Sequence, residues 1–220
     1  MPRAARRILS VFLALLCVTG DIACHASAPE TSAAAFVLLD ADSGRVLLSR
    51  AEGQERSIAS TTKLMTCLVA LEHSALTDRV TVKREHLREG SSMYLAEGEV
   101  LTMEELLYGL MLPSGNDAAE CIAAHCGGSG GSAQFVAWMN EKAAALGMTH
   151  TSFRNPSGLD EQGHHSCALD MARLAAFAMQ NQTFARIVST RTASVGSRTM
   201  VNHNKLLASY SGCIGGKTGY

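Results

Sequence analysis

The pattern of apolar and polar positions predicts strands towards the two ends of the folded region and helices between them. Two mainly apolar stretches, residues 35–39 and 45–48, flank an Asp/Ser/Gly turn, which is typical of a β-hairpin. From residue 60 to residue 73 the apolar side chains recur every three or four positions, which is the period of a helix. The first helix is therefore expected to begin at Ser60.

The middle of the chain is predicted to be helical. Thr102 and Glu105 have the spacing of a capping box, which should open a helix over residues 106–112. Further helices are expected over residues 117–125, 132–146 and 168–180, with Ser132 as an N-cap. The glycine-rich stretch 127–131 follows a helix and lacks a lysine, so we interpret it as a connector and not as a phosphate loop.

After Phe184 the composition favours strands again, over residues 187–190, 198–201 and 213–220. Strands that flank a helical middle indicate an α+β fold: an antiparallel sheet with flanking helices and an inserted helical subdomain at about residues 75–180. A βαβ winding is not expected.

The first 26 residues have the three parts of a secretory signal peptide. Basic residues precede an apolar run at 8–18, and small residues follow near the expected cleavage point at Ala26. The run is shorter than the roughly 20 residues that span a bilayer. Cys24 leaves a lipoprotein signal open, although Asp21 stands where an apolar residue is expected. We expect export, with residues 27–220 forming the secreted domain.

Composition excludes several classes of function. The chain has 220 residues, 47% of them hydrophobic, and its 19 Lys+Arg against 20 Asp+Glu give a net charge of −1, so no nucleic-acid partner is expected.

An odd number of cysteines follows the predicted cleavage point, so they cannot all pair; they are Cys67, Cys121, Cys126, Cys167 and Cys213. We expect buried thiols, with a Cys121–Cys126 bridge left open. None stands at metal-ligand spacing from a histidine, so neither a metal nor a cofactor is expected.

The strongest chemical signal is Ser60-Thr61-Thr62-Lys63. It places a hydroxyl and an amine three positions apart, on one face of a helix start. The positive end of the helix dipole favours an anion near Ser60. Lys63 can accept the Ser60 proton if desolvation or a second cation, such as Lys217, keeps its amine neutral.

Two further elements stand in order behind it. Ser114-Gly115-Asn116 falls in a loop between predicted helices, and Lys217-Thr218-Gly219 falls on the last predicted strand. Taken singly, the three elements are an N-cap, a turn and a strand end. Their joint occurrence in this order favours a catalytic interpretation.

The three elements together resemble those of the penicillin-binding proteins and serine β-lactamases. The flanking stretches narrow the resemblance to the low-molecular-mass D-alanyl-D-alanine carboxypeptidases, over residues 33–220. These stretches are residues 58–66, 107–119, 155–160 and 215–220.

The resemblance implies an acyl-enzyme mechanism. Ser60 would attack the bond between two D-alanines at the end of a peptidoglycan stem peptide, and Lys63 would take its proton. Ser114 would relay a proton towards the leaving amine, and Asn116 would hold the substrate backbone. β-Lactam antibiotics would acylate Ser60 as inhibitors.

The resemblance also assigns the end of the chain to substrate binding. Lys217 and Thr218 would receive the terminal carboxylate, next to Gly219. The backbone N–H groups of Ser60 and Tyr220 would form the oxyanion hole. His203 is a weaker candidate for a carboxylate neighbour, and His164-His165 is expected to be a solvated loop pair.

Three alternatives stay open. A β-lactamase with a separate deacylating base needs a Glu-x-x-x-Asn loop, which the region 155–166 does not complete around Glu161. A DD-endopeptidase would use the same residues. An inactive or fragmentary module is the third, because relatives continue beyond the Lys-Thr-Gly strand. We therefore expect missing C-terminal strands, and peripheral membrane association through the missing region.

Overall fold

The computed structural model describes residues 30–220, so the predicted signal segment 1–26 lies outside the described residues. Helices and strands are numbered below in chain order within that part. The strands are β1 Phe36–Leu39, β2 Val46–Arg50, β3 Arg79–Thr81, β4 Val100–Thr102, β5 Thr192–Val195 and β6 Arg198–Val201. The α-helices are α1 Lys63–His73, α2 Met103–Met111, α3 Asn116–Cys126, α4 Gly131–Ala145, α5 Ala168–Ala178, α6 Gln182–Ser189 and α7 Leu206–Ser209. Short 3₁₀ helices cover Ala59–Thr62, Arg84–His86 and Gly128–Gly130.

The strands form three antiparallel pairs, β1 with β2, β3 with β4, and β5 with β6. The first pair is the predicted hairpin, and its turn is held by Asp40 Oδ1, which accepts the Ser43 N–H at 2.8 Å. The mixed helix and strand content confirms the α+β class. In place of the one antiparallel sheet that was predicted, the described residues form three two-stranded sheets. One of them, β3–β4, lies within the stretch predicted as a helical subdomain.

Helix α1 lies at the centre of the core of the unit formed by residues 33–220. Every residue from Lys63 to Ala70 is buried, and the helix packs against α2, α3, α4 and α5. Burying a Leu or Met side chain contributes about 1.5–3 kcal/mol. The helix that begins just after Ser60 is therefore held on several sides.

The predicted helices of the middle are confirmed, with small shifts at their ends. Thr102 caps α2 in the predicted box, in which its hydroxyl accepts the Glu105 N–H and Glu105 accepts the Thr102 N–H. The cap expected at Ser132 is wrong, because α4 already begins at Gly131. The Ser132 hydroxyl instead donates to Glu120 at 3.2 Å.

The strand predicted over residues 187–190 is wrong, because residues 187–189 form the end of α6 and Thr190 is its C-cap. Asn181 Oδ1 caps the helix by accepting the N–H groups of Thr183 and Phe184. Phe184, Ile187 and Val188 then lie buried on one face at helical spacing. The cap and this period outweigh the strand preference of the β-branched residues in this stretch.

The strand predicted over residues 213–220 is also wrong. No strand is assigned there, and none of the three sheets of the described residues includes this stretch. Gly215 and Gly216 have φ of 141° and 118°, outside the range of regular strands. The Lys217-Thr218-Gly219 element therefore lies on a non-regular segment.

Within residues 30–220, no helix has the length and apolar character that a membrane crossing requires.

The five cysteines of this part are all free thiols, including Cys121 and Cys126. The bridge left open from the sequence is therefore not formed.

Candidate active site

Ser60 and Lys63 are brought together at the start of α1. Ser60 lies on the 3₁₀ turn that leads into the helix, and Lys63 is the first residue of the helix itself. Lys63 Nζ lies 3.0 Å from Ser60 Oγ. Ala59, just before the serine, has φ of 45°, a backbone conformation that costs energy for a non-glycine residue.

The Lys63 amine is held by oxygen acceptors from three parts of the chain. Besides Ser60, it donates to Asn116 Oδ1 at 2.8 Å and to the Ser157 carbonyl at 2.5 Å. Its side chain is 0% exposed. None of its hydrogen-bond partners among the described residues is a carboxylate, so no direct ion pair holds the amine in its charged form.

Burial, and to a lesser extent the positive charge of Lys217, together lower the pKa of Lys63 to about 7. The Asp117 carboxylate acts in the opposite direction, but less strongly. Burial also lowers the pKa of Lys217, to about 8. A substantial fraction of Lys63 is therefore neutral near pH 7 and can accept a proton from Ser60.

Asn116 is fixed by both ends of its amide. Its Oδ1 accepts from Lys63, and its Nδ2 donates to the Glu89 carbonyl at 2.8 Å. Its backbone N–H donates to the Ser91 carbonyl at 2.7 Å. Asn116 therefore orients the Lys63 amine and anchors segment 89–91, which forms one side of the site.

Asp117 is a site residue that the sequence analysis did not single out. Its buried carboxylate accepts from the Ser92 hydroxyl at 2.5 Å and from the N–H groups of Met93 and Leu95 at 3.0 and 3.1 Å. It therefore fixes segment 91–95 against the start of α3. Its position directly after the Ser-Gly-Asn element was the signal that could have identified it.

Ser114 lies in the turn between α2 and α3, as expected. Its φ is 68°, its side chain is buried, and its hydroxyl has no hydrogen-bond partner among the described residues. Gly115 is next to it, where a Cβ would lie 3.0 Å from the Gly109 carbonyl. Close packing thus holds a strained serine whose hydroxyl is uncommitted.

The segment 155–158 closes the site opposite α3. Thr66 donates to the Pro156 carbonyl at 2.6 Å, which brings the Ser157 carbonyl to Lys63. Gly158 has φ of 86°, and a Cβ there would lie 1.9 Å from the Ala59 carbonyl. This stretch was part of the family resemblance, but no role was expected for Ser157 or Gly158.

His164 is buried, so the expectation of a solvated loop side chain is wrong for this residue. Its Nδ1 accepts the Arg154 N–H at 3.1 Å, which leaves the proton on Nε2, 2.8 Å from Thr62 Oγ1. Burial lowers the pKa of His164. His165 is half-exposed and lies 3.7 Å from Glu55. His164 therefore ties the loop to the turn that carries Ser60.

The end of the chain packs against the same turn. A Cβ at Gly219 would lie 3.2 Å from the Ile58 carbonyl and 3.3 Å from Thr61 Cγ2. Tyr220 lines a groove of about 190 Å³ together with Ser60 and Asn116. Gly219 and Tyr220 are therefore brought close to Ser60.

The other residues predicted for the site, Lys217, Thr218 and His203, make no hydrogen bond to Ser60 in the described part of the chain. Lys217 is close enough to lower the pKa of Lys63, and its amine donates to the Thr218 carbonyl at 2.8 Å. Thr218 is exposed. His203 is exposed, and its backbone N–H donates to the Leu112 carbonyl at 3.1 Å. No contact in the described part brings the His203 ring to Ser60.

Comparison with known proteins gives consistent matches. The sequence profile of the D-alanyl-D-alanine carboxypeptidase family matches residues 22–220. The chain is 37% identical over 196 residues to the D-alanyl-D-alanine carboxypeptidase DacF of Bacillus subtilis, covering 84% of this chain and 50% of the relative. It is 39% identical over 199 residues to DacB2 of Mycobacterium tuberculosis, covering 87% of this chain and 67% of the relative. The chain thus spans half the length of the first relative and about two thirds of the second.

Solved structures agree with this match. The D-alanyl-D-alanine carboxypeptidase from Mycobacterium tuberculosis superposes with a TM-score of 0.84 at 38% identity, covering 88% of this chain and 75% of that one. The Streptomyces K15 DD-transpeptidase superposes with a TM-score of 0.84 at 33% identity, covering 88% and 82%. Fold, sequence profile and curated relatives agree, and the chain belongs to the D-alanyl-D-alanine carboxypeptidase family.

Proposed function

We propose that this chain is a serine-type D-alanyl-D-alanine carboxypeptidase that removes the terminal D-alanine from peptidoglycan stem pentapeptides. The observation that carries the proposal is the Ser60–Lys63 pair, with 3.0 Å between Oγ and Nζ and a lysine pKa lowered to about 7. A hydroxyl next to a buried, partly neutral amine is an activated nucleophile.

Acylation begins when Ser60 Oγ attacks the carbonyl carbon between the two D-alanines, and its proton passes to Lys63 Nζ. The oxygen–carbon bond forms, and the carbonyl oxygen takes the negative charge of the tetrahedral intermediate. The N–H groups of Ser60 and Tyr220 stabilise this oxygen, since both residues line the same groove.

Collapse of the intermediate breaks the carbon–nitrogen bond and releases D-alanine. The leaving amine needs a proton, which Ser114 relays from Lys63. Support for this role comes from the buried Ser114 hydroxyl, which has no partner in the described part of the chain and is therefore free to donate. Water then hydrolyses the ester on Ser60 and regenerates the enzyme.

The negative carboxylate of the substrate is bound at the end of the chain. Lys217 supplies a positive charge and Thr218 a hydroxyl, while Gly219 keeps the segment close to the Ser60 turn. Asn116 lines the groove and holds the substrate backbone. The same groove accepts a β-lactam, which acylates Ser60 through its strained ring amide.

Release of a β-lactam is expected to be slow. The loop that would supply a deacylating base contains Glu161, whose carboxylate accepts from Asn155 Nδ2 at 3.1 Å and is exposed. The partners of Lys63 supply only hydroxyl, amide and carbonyl oxygens, so none of them is a carboxylate that could act as a separate deacylating base.

The predicted export signal agrees with action on the wall, outside the cytoplasmic membrane.

Labelling with a fluorescent penicillin tests the nucleophile. We expect one covalent label per chain, lost in Ser60→Ala and retained in Ser57→Ala, a control three residues away. Equal labelling of Ser60→Ala would contradict the mechanism. D-Alanine release from a pentapeptide then tests the substrate, and rapid nitrocefin turnover would favour a β-lactamase instead.

A further inference from the structure

Three side chains with metal-binding atoms meet near the start of α5, outside the groove around Ser60. They are His150, Cys167 and Asp170, and one potential ligand atom of each lies within 4.8 Å of the others. Cys167 and Asp170 are buried, whereas His150 is exposed. We propose that these three residues form a zinc-binding site that opens to solvent at His150.

The chemistry of the donor set selects the metal. A thiolate, an imidazole and a carboxylate, with water as a fourth ligand, make the tetrahedral coordination that zinc adopts. Calcium and magnesium prefer oxygen ligands alone, so the thiolate disfavours both. The site is therefore expected to take zinc, and cobalt as a spectroscopic substitute.

Capping alone does not account for the cysteine. Cys167 holds the N-cap position of α5, and its sulfur accepts the Asp170 N–H at 3.5 Å. Sulfur is a weak acceptor, and helices prefer Ser, Thr, Asp or Asn at this position. Zinc binds the thiolate form, so the Cys167 thiol releases its proton to solvent as the metal–sulfur bond forms.

Neighbouring groups orient the carboxylate. Asp170 Oδ2 accepts from the His150 N–H at 2.9 Å and from Thr151 Oγ1 at 2.8 Å. Arg173 reaches Oδ1 only at 3.5 Å and also donates to the Gly147 carbonyl. Hydrogen bonds of this kind fix metal ligands in place, and here they hold the carboxylate next to the backbone of a second ligand.

The position of the site suggests what the ion does. His150 directly precedes segment 151–166 and Cys167 directly follows it. An ion held by both residues would join the two ends of the segment whose Ser157 carbonyl contacts Lys63. Zinc would therefore stabilise the folded chain by binding it in preference to the unfolded chain. This inference does not depend on the proposed peptidase activity.

Cobalt titration of the full, reduced chain tests the site. We expect one equivalent of Co²⁺ to produce a thiolate-to-cobalt charge-transfer band and the visible bands of tetrahedral cobalt, both removed by added Zn²⁺. Cys167→Ser and His150→Ala should lose the charge-transfer band. Cys126→Ser, which changes a cysteine outside the cluster, should keep it.

Thermal unfolding supplies a second measurement. Zn²⁺ should raise the Tm of the wild-type chain and of Cys126→Ser, but not that of His150→Ala. His150 is exposed, so this variant is expected to fold and decides the result if Cys167→Ser does not. A wild-type chain without a thiolate–cobalt band, or a band that persists in both cluster variants, overturns the proposal.

Discussion

The Lys63 amine donates to the Ser157 carbonyl at 2.5 Å, across 94 positions of the chain. This contact makes a backbone group of a distant loop part of the surroundings of Lys63, the proposed catalytic base. A carbonyl dipole favours the charged amine far less than a carboxylate would, so burial decides the pKa. The geometry of this loop, and not only the Ser-x-x-Lys spacing, is therefore expected to control reactivity.

The first prediction concerns the pH dependence of acylation. In the proposed mechanism neutral Lys63 accepts the Ser60 proton. Lysine is neutral above its pKa, so the acylation rate should rise with pH through about 7 and then level off. In Lys217→Ala a neighbouring positive charge is removed, which favours the charged form of Lys63. The midpoint should therefore move to higher pH, as stopped-flow measurement of penicillin labelling would reveal; a midpoint that moves down contradicts the assignment.

Asp117→Asn should move the same midpoint in the opposite direction. The carboxylate raises the pKa of Lys63, so its neutralisation lowers that pKa and extends acylation to lower pH. The buried carboxylate also accepts from several donors of segment 91–95. We expect a loss of about 1–3 kcal/mol in the free energy of unfolding, measured by urea denaturation; unchanged stability would contradict the anchoring role.

Gly158→Ala and Gly98→Ala form a matched pair. Their φ values are 86° and 82°, but a Cβ at Gly98 meets nothing within 4 Å, whereas one at Gly158 meets the Ala59 carbonyl at 1.9 Å. Gly98→Ala should cost about 1–2 kcal/mol of stability and label normally. Gly158→Ala must displace the Ser60 turn, so its labelling rate should fall more than about tenfold, a cost above 1.4 kcal/mol. Equal labelling by the two variants would refute this account.

Ser114→Ala separates catalysis from stability. The buried hydroxyl has no partner in the described part of the chain, so its removal costs no hydrogen bond in the folded protein. We expect the free energy of unfolding to change by no more than about 0.5 kcal/mol, while D-alanine release falls by about 10²–10⁴, the usual contribution of proton transfer. A variant with normal turnover would exclude Ser114 from the proton relay.

His164 should make stability depend on pH. Burial lowers its pKa from 6.5 in the folded chain, so the unfolded chain binds more protons as the pH falls below 6.5. Its contribution is therefore complete above this pH and is lost below it. His164→Gln should flatten the dependence of Tm on pH over roughly this interval, whereas His165→Gln, at the half-exposed neighbour, should not. The reverse order would show that His165 carries the effect.

Local signals were enough to predict many elements. The Thr102–Glu105 capping box and the apolar period of α1 depend on residues within a few positions of each other. The wrong prediction of a strand over residues 187–190 also has a local cause. Residues 187–190 are rich in β-branched side chains, but the Asn181 cap and the buried face of α6 decided for a helix.

The sequence by itself determined the family, the order of the three chemical elements and the Ser60–Lys63 pair, because each element is a short motif that can be recognised without knowing how the chain folds. Only the tertiary structure revealed that the Ser157 carbonyl meets Lys63 and that His164 ties its loop to the turn that carries Ser60, since both come from distant segments. It also brought His150 to Cys167 and Asp170, which no sequence spacing indicated. Burial explains the difference: the desolvation that lowers the pKa of Lys63 to about 7 arises only when those segments pack over it.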